Sequence, residues 1–415
     1  MELLRIVLPL AAAGCFLWGA GQCAWRTLCP RRNPAFGRQG LPGRLWQPAL
    51  LCLLVGAAVQ GMLVGIGWSQ GSYATLAQAL DALFYGNTDA RHYLDLARYG
   101  YGAGEAFSEQ YLMIVFFPLF PWLLRLLNPF GWLDIRVLAL VVQLPLFALA
   151  GTGLFAVTER RYGASTAWRA LVLLLISPAS FFFWMPMTES LFLALTVWYV
   201  WCLEQGYGGR AAVLGVLAGL CRAPGALLTG LALLHLLERW RARKLRLTPG
   251  LVAALWGPAL GLAGYFALNQ FVYGRWNQYS VYQWEHWHQR LGLFTETIRY
   301  HLSYLAQWWQ SDRSAAIWIC LTAVVCIVLA FALLAAAARE LPPSWLGYGL
   351  AYLLLTMGAT WLLSAPRYAV ALFVLPVGLA VMLRGRPRST AVTGICLAAG
   401  SVAYTAAYLL HQPIY

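Results

Sequence analysis

The chain has 415 residues, of which 61% are hydrophobic and only 11% are charged, and its formal net charge is +14. So apolar a composition excludes a water-soluble globular protein, because too few polar side chains remain to cover its surface. No motif typical of RNA or DNA binding accompanies the basic balance, so we expect membrane lipids as partners and no nucleic acid.

Apolar runs recur from end to end, and most are long enough, or nearly so, to cross a hydrocarbon core of about 30 Å as helices. Since helices satisfy their own backbone hydrogen bonds in lipid, the sequence predicts an all-α, multi-pass transmembrane helical bundle. Hydropathy predicts about twelve spans, at residues 4–25, 46–68, 137–158, 170–187, 189–203, 211–221, 224–237, 251–271, 314–337, 346–364, 368–383 and 391–410. The short spans between 170 and 237 form two hairpins in this interpretation, bent where Pro186 and Pro224 break the helices.

The run FFPLFPWLLRLL, residues 116–127, decides the topology, because counting it as a crossing would invert every later span. If this run stays at the outer surface, the inner loops hold 18 Arg and Lys against 4 acidic residues, and all other segments hold 11 against 11. The whole positive excess then falls on one side, as the positive-inside rule requires. We therefore predict a juxtamembrane amphipathic helix over 112–127, with Pro118 and Pro121 near its start.

Two long outer loops, 69–136 and 272–313, remain in this topology. One active site can be built between them, and we expect residues 1–415 to form a single integral membrane domain with these loops on the active-site side.

The segment NTDARHYLDLARYGY, residues 87–101, concentrates charge in a chain that has little of it. At 100° per residue, one helical face carries Asp89, His92, Tyr93 and Leu96. The opposite face carries Arg91, Asp95 and Arg98, spaced for ion pairs that support the helix. Asp89 has no basic partner on its own face, so it either caps the helix or is kept for a function, and the residues alone leave both interpretations open.

Five segments follow one another in order along residues 85–380: TDARHYLDLARYGY, VFFPLFPWLLRLL, LLISPASFFFWMPMTESLFLAL, CRAPGALL and APRYAVALFVLP. Together they resemble the GPI mannosyltransferase family of PIG-V type and its bacterial relatives, which are polyprenol-dependent enzymes of the GT-C glycosyltransferase fold. The resemblance implies a GT-C bundle with juxtamembrane helices in the first outer loop. It also implies that Asp89 is the catalytic base, because this residue matches the family's carboxylate in that loop, while Thr88 stands where the family has tryptophan.

The resemblance implies that the protein transfers a sugar, which in this family is mannose, from a polyprenyl phosphate donor to an acceptor hydroxyl on the extracytoplasmic side. The transfer inverts the configuration of the sugar. Arg222 and Arg367 are candidates for the donor phosphate, since both lie at outer helix ends and a guanidinium binds phosphate bidentately. The alternative for each is an arginine that snorkels to the interface.

Three further residues are assigned to substrate binding. Tyr368 follows Arg367 in the last motif, and His92 either orients Asp89 or contacts substrate. Glu189 positions the acceptor or pairs with an arginine, and the competing interpretation is a helix cap at Thr188.

The second outer loop is rich in aromatic side chains, among them five tryptophans: Trp276, Trp284, Trp287, Trp308 and Trp309. They either stack on sugar rings or the prenyl chain, or form an interfacial aromatic belt. Glu285, His286 and His288 suggest a divalent metal, but their spacing suits no helical face, so we predict no metal site and no firm cofactor.

Two other classes of function remain as alternatives. A polytopic lipid or sugar transporter or flippase would carry ionisable residues in mid-span and repeated halves, and neither is evident here. A non-catalytic membrane subunit would tolerate loss of Asp89.

With 28 arginines to one lysine, the composition suggests a GC-rich bacterium, hence a plasma membrane enzyme with an outward-facing site and a glycolipid, glycan or protein acceptor.

Overall fold

The computed structural model describes residues 2–29, 42–84, 88–102 and 113–415, and within these ranges the regular structure is helical. The first helices are α1 Glu2–Leu28, α2 Trp46–Ser69, α3 Leu76–Phe84, α4 Ala90–Tyr99, α5 Leu119–Leu127, α6 Ile135–Tyr162, α7 Ala164–Leu175, α8 Glu189–Gln205 and α9 Gly208–Cys221. They are followed by α10 Leu228–Arg241, α11 Pro249–Tyr273, α12 Gln278–Glu285, α13 Phe294–Ser311, α14 Arg313–Ala337, α15 Pro343–Met357, α16 Ala365–Val370, α17 Val374–Met382 and α18 Pro387–Leu409. The predicted all-α class is confirmed.

In the part of the chain that the structure describes, six helices are long and apolar enough to cross a membrane: α1, α2, α6, α11, α14 and α18. Shorter apolar helices, among them α7 and α9, lie between these long ones in sequence. The integral membrane class is therefore supported by helix length and composition, while the number of about twelve spans stays a prediction.

The predicted span at 170–187 has different bounds in the structure. Helix α7 ends at Leu175, and the chain then runs through a buried 3-10 turn, Ser180–Trp184, to the start of α8. Irregular backbone inside a bundle needs polar partners. Two glutamines supply them, since Gln60 Nε2 donates to the Trp184 carbonyl (3.1 Å) and Gln143 Nε2 donates to the Met187 carbonyl (2.7 Å).

Helix α5 replaces the longer juxtamembrane helix predicted over 112–127. It begins only after Pro118 and has nine residues, a rise of about 14 Å that is less than half of the hydrocarbon core. Residue 112 lies outside the described ranges. Phe120 and Leu124 of α5 are buried, whereas Leu126 is 75% exposed, so the helix is one-sided and too short to cross.

Buried charged residues gather at two groups of helix ends. At one end of the bundle, Arg161 of α6 pairs with Glu204 of α8 at 2.6 Å, and Trp345 Nε1 of α15 donates to the same carboxylate at 3.1 Å. Glu238 of α10 accepts from the Ser344 backbone at 2.7 Å. The other group joins the starts of α4, α8 and α16 with the end of α9, and it contains the candidate site.

Helices α9 and α11 approach closely through glycines. A Cβ on Gly219 would lie 2.3 Å from the Pro258 carbonyl oxygen, and a Cβ on Gly261 would lie 2.1 Å from the Val216 carbonyl oxygen. Small residues allow such backbone contact between helices in lipid. Because α9 ends directly before Arg222, this contact determines where that side chain enters the site.

We expect Gly261→Ala to destabilise the protein by about 1–3 kcal/mol, because the new methyl group overpacks the α9 backbone. The control is Gly264→Ala in the same helix, where the new Cβ meets its nearest neighbour, Leu220 Cδ2, at an ordinary 3.6 Å. Thermal unfolding of both variants in the same detergent and at one scan rate measures the difference. Equal unfolding midpoints for the two variants would contradict this account of the packing.

Candidate active site

Asp89 occupies the N-cap position of α4, but its carboxylate makes no capping hydrogen bond within the described residues. Its Oδ2 instead lies 2.6 Å from Nη2 of Arg367, and 32% of the Asp89 side chain is exposed. Of the two interpretations left open by the sequence, helix capping is therefore wrong. The basic partner that Asp89 lacks on its own face of α4 is Arg367 of α16, near the other end of the chain.

Glu189 lies in the first turn of α8 and is fully buried. Its Oε1 accepts from Nη1 of Arg222 at 2.7 Å and from Nε of Arg367 at 2.8 Å. Thr188 makes no side-chain capping hydrogen bond at this helix start. The pairing with arginine that the sequence allowed is thus present, and it involves two arginines.

Both arginines are buried, since their side chains are 8% (Arg222) and 4% (Arg367) exposed. Neither therefore snorkels to the interface. Aromatic rings add to their environment, because the Tyr368 ring centroid lies 5.2 Å from the Arg222 guanidinium carbon and 5.9 Å from that of Arg367. Faces of aromatic rings stabilise cations that have lost water.

The four charged groups form one chain in the order Asp89, Arg367, Glu189, Arg222. Their formal charges cancel, so the site as a whole is neutral. Each member is carried by a different element, and proline breaks the helical path beside both arginines: Pro366 in the first turn of α16 and Pro224 in the 3-10 turn after Arg222.

This chain of charges borders a cavity of about 220 Å³, whose wall includes Asp89, Arg222, Arg367 and Tyr368. Both long loops contribute to the wall. The first supplies, besides Asp89, Tyr93, Val115, Phe116 and Phe117, and the second supplies Tyr279, Gln283, Trp287 and Gln289.

His92 and Glu189, which were predicted to bind substrate, do not line this cavity. The His92 ring is buried and stacks on Phe116, with ring centroids 4.6 Å apart, so it stands behind a wall residue. Arg91 donates from Nε to His92 Nε2 at 3.3 Å. The supporting set Arg91, Asp95 and Arg98 is half-buried on the opposite side of α4, and its role stays a prediction.

The Asp89 carboxylate is more acidic than an ordinary aspartate. Burial by itself raises its pKa, but the positive charge of Arg367 and the nearby His92 outweigh burial, and the pKa of Asp89 lies below its usual value. The carboxylate therefore stays ionised at neutral pH.

The second loop contains wall residues that sequence reasoning did not single out. It marked five tryptophans as one group, whereas the structure divides them: Trp287 lines the cavity, while Trp276 and Trp284 are 60% and 52% exposed. Gln283, Gln289 and Tyr415 also line the cavity. The large number of aromatic residues in the second loop was the sequence signal for Trp287. No spacing pattern in the sequence marks Gln283, Gln289 or Tyr415.

No known protein family and no curated protein matches this sequence. Among solved structures, the chain superposes on ArnT from Cupriavidus metallidurans bound to undecaprenyl phosphate with a TM-score of 0.54 and 18% identity. The fold is of the GT-C type. This match covers 87% of the chain and 64% of ArnT, so the chain spans less than two thirds of ArnT's length. The GT-C fold implied by the sequence resemblance is confirmed, while the PIG-V subtype stays a prediction.

A second structural match is the Archaeoglobus fulgidus oligosaccharyltransferase in its apo form. Its TM-score is 0.42 at 10% identity, over 89% of this chain and 56% of that protein. So low a score adds nothing to the assignment of the GT-C fold.

We expect Glu189→Gln to lower the free energy of unfolding by about 3–5 kcal/mol, because two buried guanidinium groups lose their shared counter-charge. The matched control is Glu340→Gln, which removes a carboxylate that is 50% exposed and pairs with Arg384 at 2.8 Å. That change should cost about 0–1 kcal/mol. Thermal unfolding measures both, and a Glu189 variant no less stable than the Glu340 variant would refute the role of Glu189 as the centre of the charged chain.

Proposed function

We propose that this protein is an inverting glycosyltransferase that moves a sugar, mannose by family resemblance, from a polyprenyl phosphate to an acceptor hydroxyl on the extracytoplasmic side. The observation that carries the proposal is a partly exposed carboxylate, Asp89, on the same cavity wall as two buried arginines. ArnT, whose fold this chain shares, was solved bound to undecaprenyl phosphate. That complex supports a polyprenyl phosphate donor here.

The two arginines suit the phosphate of the donor. A guanidinium has five N–H donors; Arg222 uses one of them on Glu189, and Arg367 uses one on Glu189 and one on Asp89. Enough donors remain for a phosphate group, and burial strengthens each charge-assisted hydrogen bond.

The reaction needs a base but no general acid. The bond between the anomeric carbon and the phosphate oxygen breaks, and the phosphate keeps the electron pair as an anion held by the arginines. The acceptor oxygen bonds to the anomeric carbon from the opposite side and gives its proton to Asp89. A general base contributes about 10² to 10⁴-fold, so positioning and the two arginines supply the remainder.

Before donor binds, the ion pair with Arg367 lowers the basicity of Asp89. In our proposal the donor phosphate competes for the Nη2 edge of Arg367, whereas Glu189 continues to hold the Nε edge in place. Asp89 is then released toward the acceptor hydroxyl as a stronger base. Donor binding would in this way precede activation of the acceptor.

The outward orientation of the site rests on the distribution of charge in the sequence. Eighteen of the 29 basic residues fall in loops assigned to the opposite, cytoplasmic side, as the positive-inside rule requires. For a site with this orientation we expect three kinds of partner: a lipid-linked donor, membrane lipids, and a glycolipid, glycan or protein acceptor.

Asp89→Asn should lower transfer by about 10² to 10⁴-fold, because the amide cannot accept the hydroxyl proton. The assay uses purified protein, polyprenyl phosphate mannose labelled in the sugar, and a panel of acceptors. Glu285→Gln, a change at an exposed side chain of α12, is the control and should retain wild-type transfer. Unchanged transfer by the Asp89 variant would reject Asp89 as the catalytic base, whereas no transfer by the wild-type protein with any donor and acceptor would favour a non-catalytic subunit.

Arg367→Gln should move the acid limb of the pH profile of kcat/KM to higher pH. Burial still raises the pKa of Asp89 in this variant, but its closest positive charge is gone, so the carboxylate is protonated at a higher pH than in the wild type. Because kcat/KM reports the free enzyme, it responds to this pairing before donor binds. Arg384→Gln, which removes the exposed pair with Glu340, should leave the profile unchanged; identical acid limbs in all three proteins would refute the coupling.

A further inference from the structure

The cavity has a second set of wall residues that the proposed chemistry leaves unused. Tyr279, Gln283, Trp287 and Gln289 all come from residues 278–289 and all are uncharged. They belong to the second outer loop, whereas Asp89 belongs to the first. A donor whose phosphate lies on the arginines must place its sugar against some part of this remaining wall.

Two atoms of this set lack hydrogen-bond partners among the described residues: Nε1 of Trp287 and Oε1 of Gln283, both buried. One is a donor and the other an acceptor. Leaving such a group buried and unpaired costs about 1–3 kcal/mol. The carbonyl oxygen is therefore the part of the Gln283 amide that is left for a ligand.

The segment that carries these atoms is held in place at its far end. Gln289 Nε2 donates to the Trp361 carbonyl at 2.9 Å. The Arg290 backbone N–H donates to Thr360 Oγ1 at 3.0 Å, and the Thr360 backbone N–H donates to the Arg290 carbonyl at 3.0 Å. The Trp287 ring packs edge-on against Phe116, with centroids 6.5 Å apart. The wall is therefore a fixed surface, anchored to the loop that leads into Arg367.

The chemistry of the unpaired atoms selects the ligand. An ionised phosphate accepts hydrogen bonds but has none to give to Gln283 Oε1, and a prenyl chain satisfies neither atom. A hydroxyl group both donates and accepts. A ligand with several hydroxyls, such as the hexose of the donor, can satisfy both positions at once.

We propose that Gln283 and Trp287 form the sugar subsite of the cavity, with Gln283 Oε1 accepting from a hydroxyl of the transferred hexose and Trp287 Nε1 donating to one. This inference rests on the proposed function. It makes the second loop the part of the protein that distinguishes one sugar from another, while the arginines bind the phosphate that all donors share.

The test compares two lipids that differ only in the sugar: undecaprenyl phosphate and undecaprenyl phosphate mannose, each titrated into protein in nanodiscs. Trp287→Phe keeps an aromatic ring but loses the N–H, and Gln283→Leu keeps the approximate shape but loses the amide. Each variant should bind the mannosylated lipid about 10-fold more weakly, the effect of one lost hydrogen bond, and should bind undecaprenyl phosphate as the wild type does. Trp276→Phe, at a tryptophan that is 60% exposed, should change neither affinity.

A second measurement addresses specificity. The kcat/KM ratio for mannose and glucose donors on the same lipid should move toward one in Gln283→Leu, because the discriminating acceptor is gone. Arg222→Gln should weaken the binding of both lipids and leave this ratio unchanged.

The outcomes separate the subsite from the proposed function. An equal loss of affinity for both lipids, or no loss for either, overturns the sugar subsite even if Asp89→Asn still abolishes transfer. Failure of the wild-type protein to bind either lipid overturns the proposed function, and the subsite with it. A loss confined to the mannosylated lipid supports both.

Discussion

The site depends on one buried carboxylate. Glu189 has no exposed surface, and its Oε1 accepts from two arginines that are themselves almost fully buried. An isolated charge in so apolar a setting would cost many kcal/mol, and each arginine would suffer the same penalty without its partner. With Asp89 as the fourth member, the charges cancel, and the starts of α4, α8 and α16 and the end of α9 are held together at one end of the bundle.

Broken helices make this arrangement possible. In a regular membrane-spanning helix the backbone polar groups hydrogen-bond to one another, and the side chains project only from the sides of the helix. The chain instead interrupts its helical path before Glu189 and after Arg222, and Gln60 and Gln143 satisfy backbone carbonyls of the segment that leads to Glu189. Polar side chains thus reach the end of the bundle from helix termini.

The opposite end of the bundle shows what a purely structural charge cluster looks like. There Glu204 is 4% exposed, and its Oε1 accepts from both Arg161 and Trp345. Asp89 shares the motif of a carboxylate held by arginine, but it is 32% exposed and lies on a cavity wall. Exposure to a cavity, rather than the ion pair itself, is what would make Asp89 available for the proposed chemistry.

The apolar runs alone determined the helical membrane class, because a chain with so few charges can bury its backbone only as helices in lipid. Local motifs likewise identified Asp89, Glu189, Arg222 and Arg367 as candidates. The sequence could not show that Glu189 joins both arginines, that His92 stands behind Phe116, or that Trp287 rather than Trp276 lines the cavity. Helical periodicity records which face of one helix is apolar, whereas these pairings depend on how helices far apart in the chain pack, and only the tertiary structure decides that.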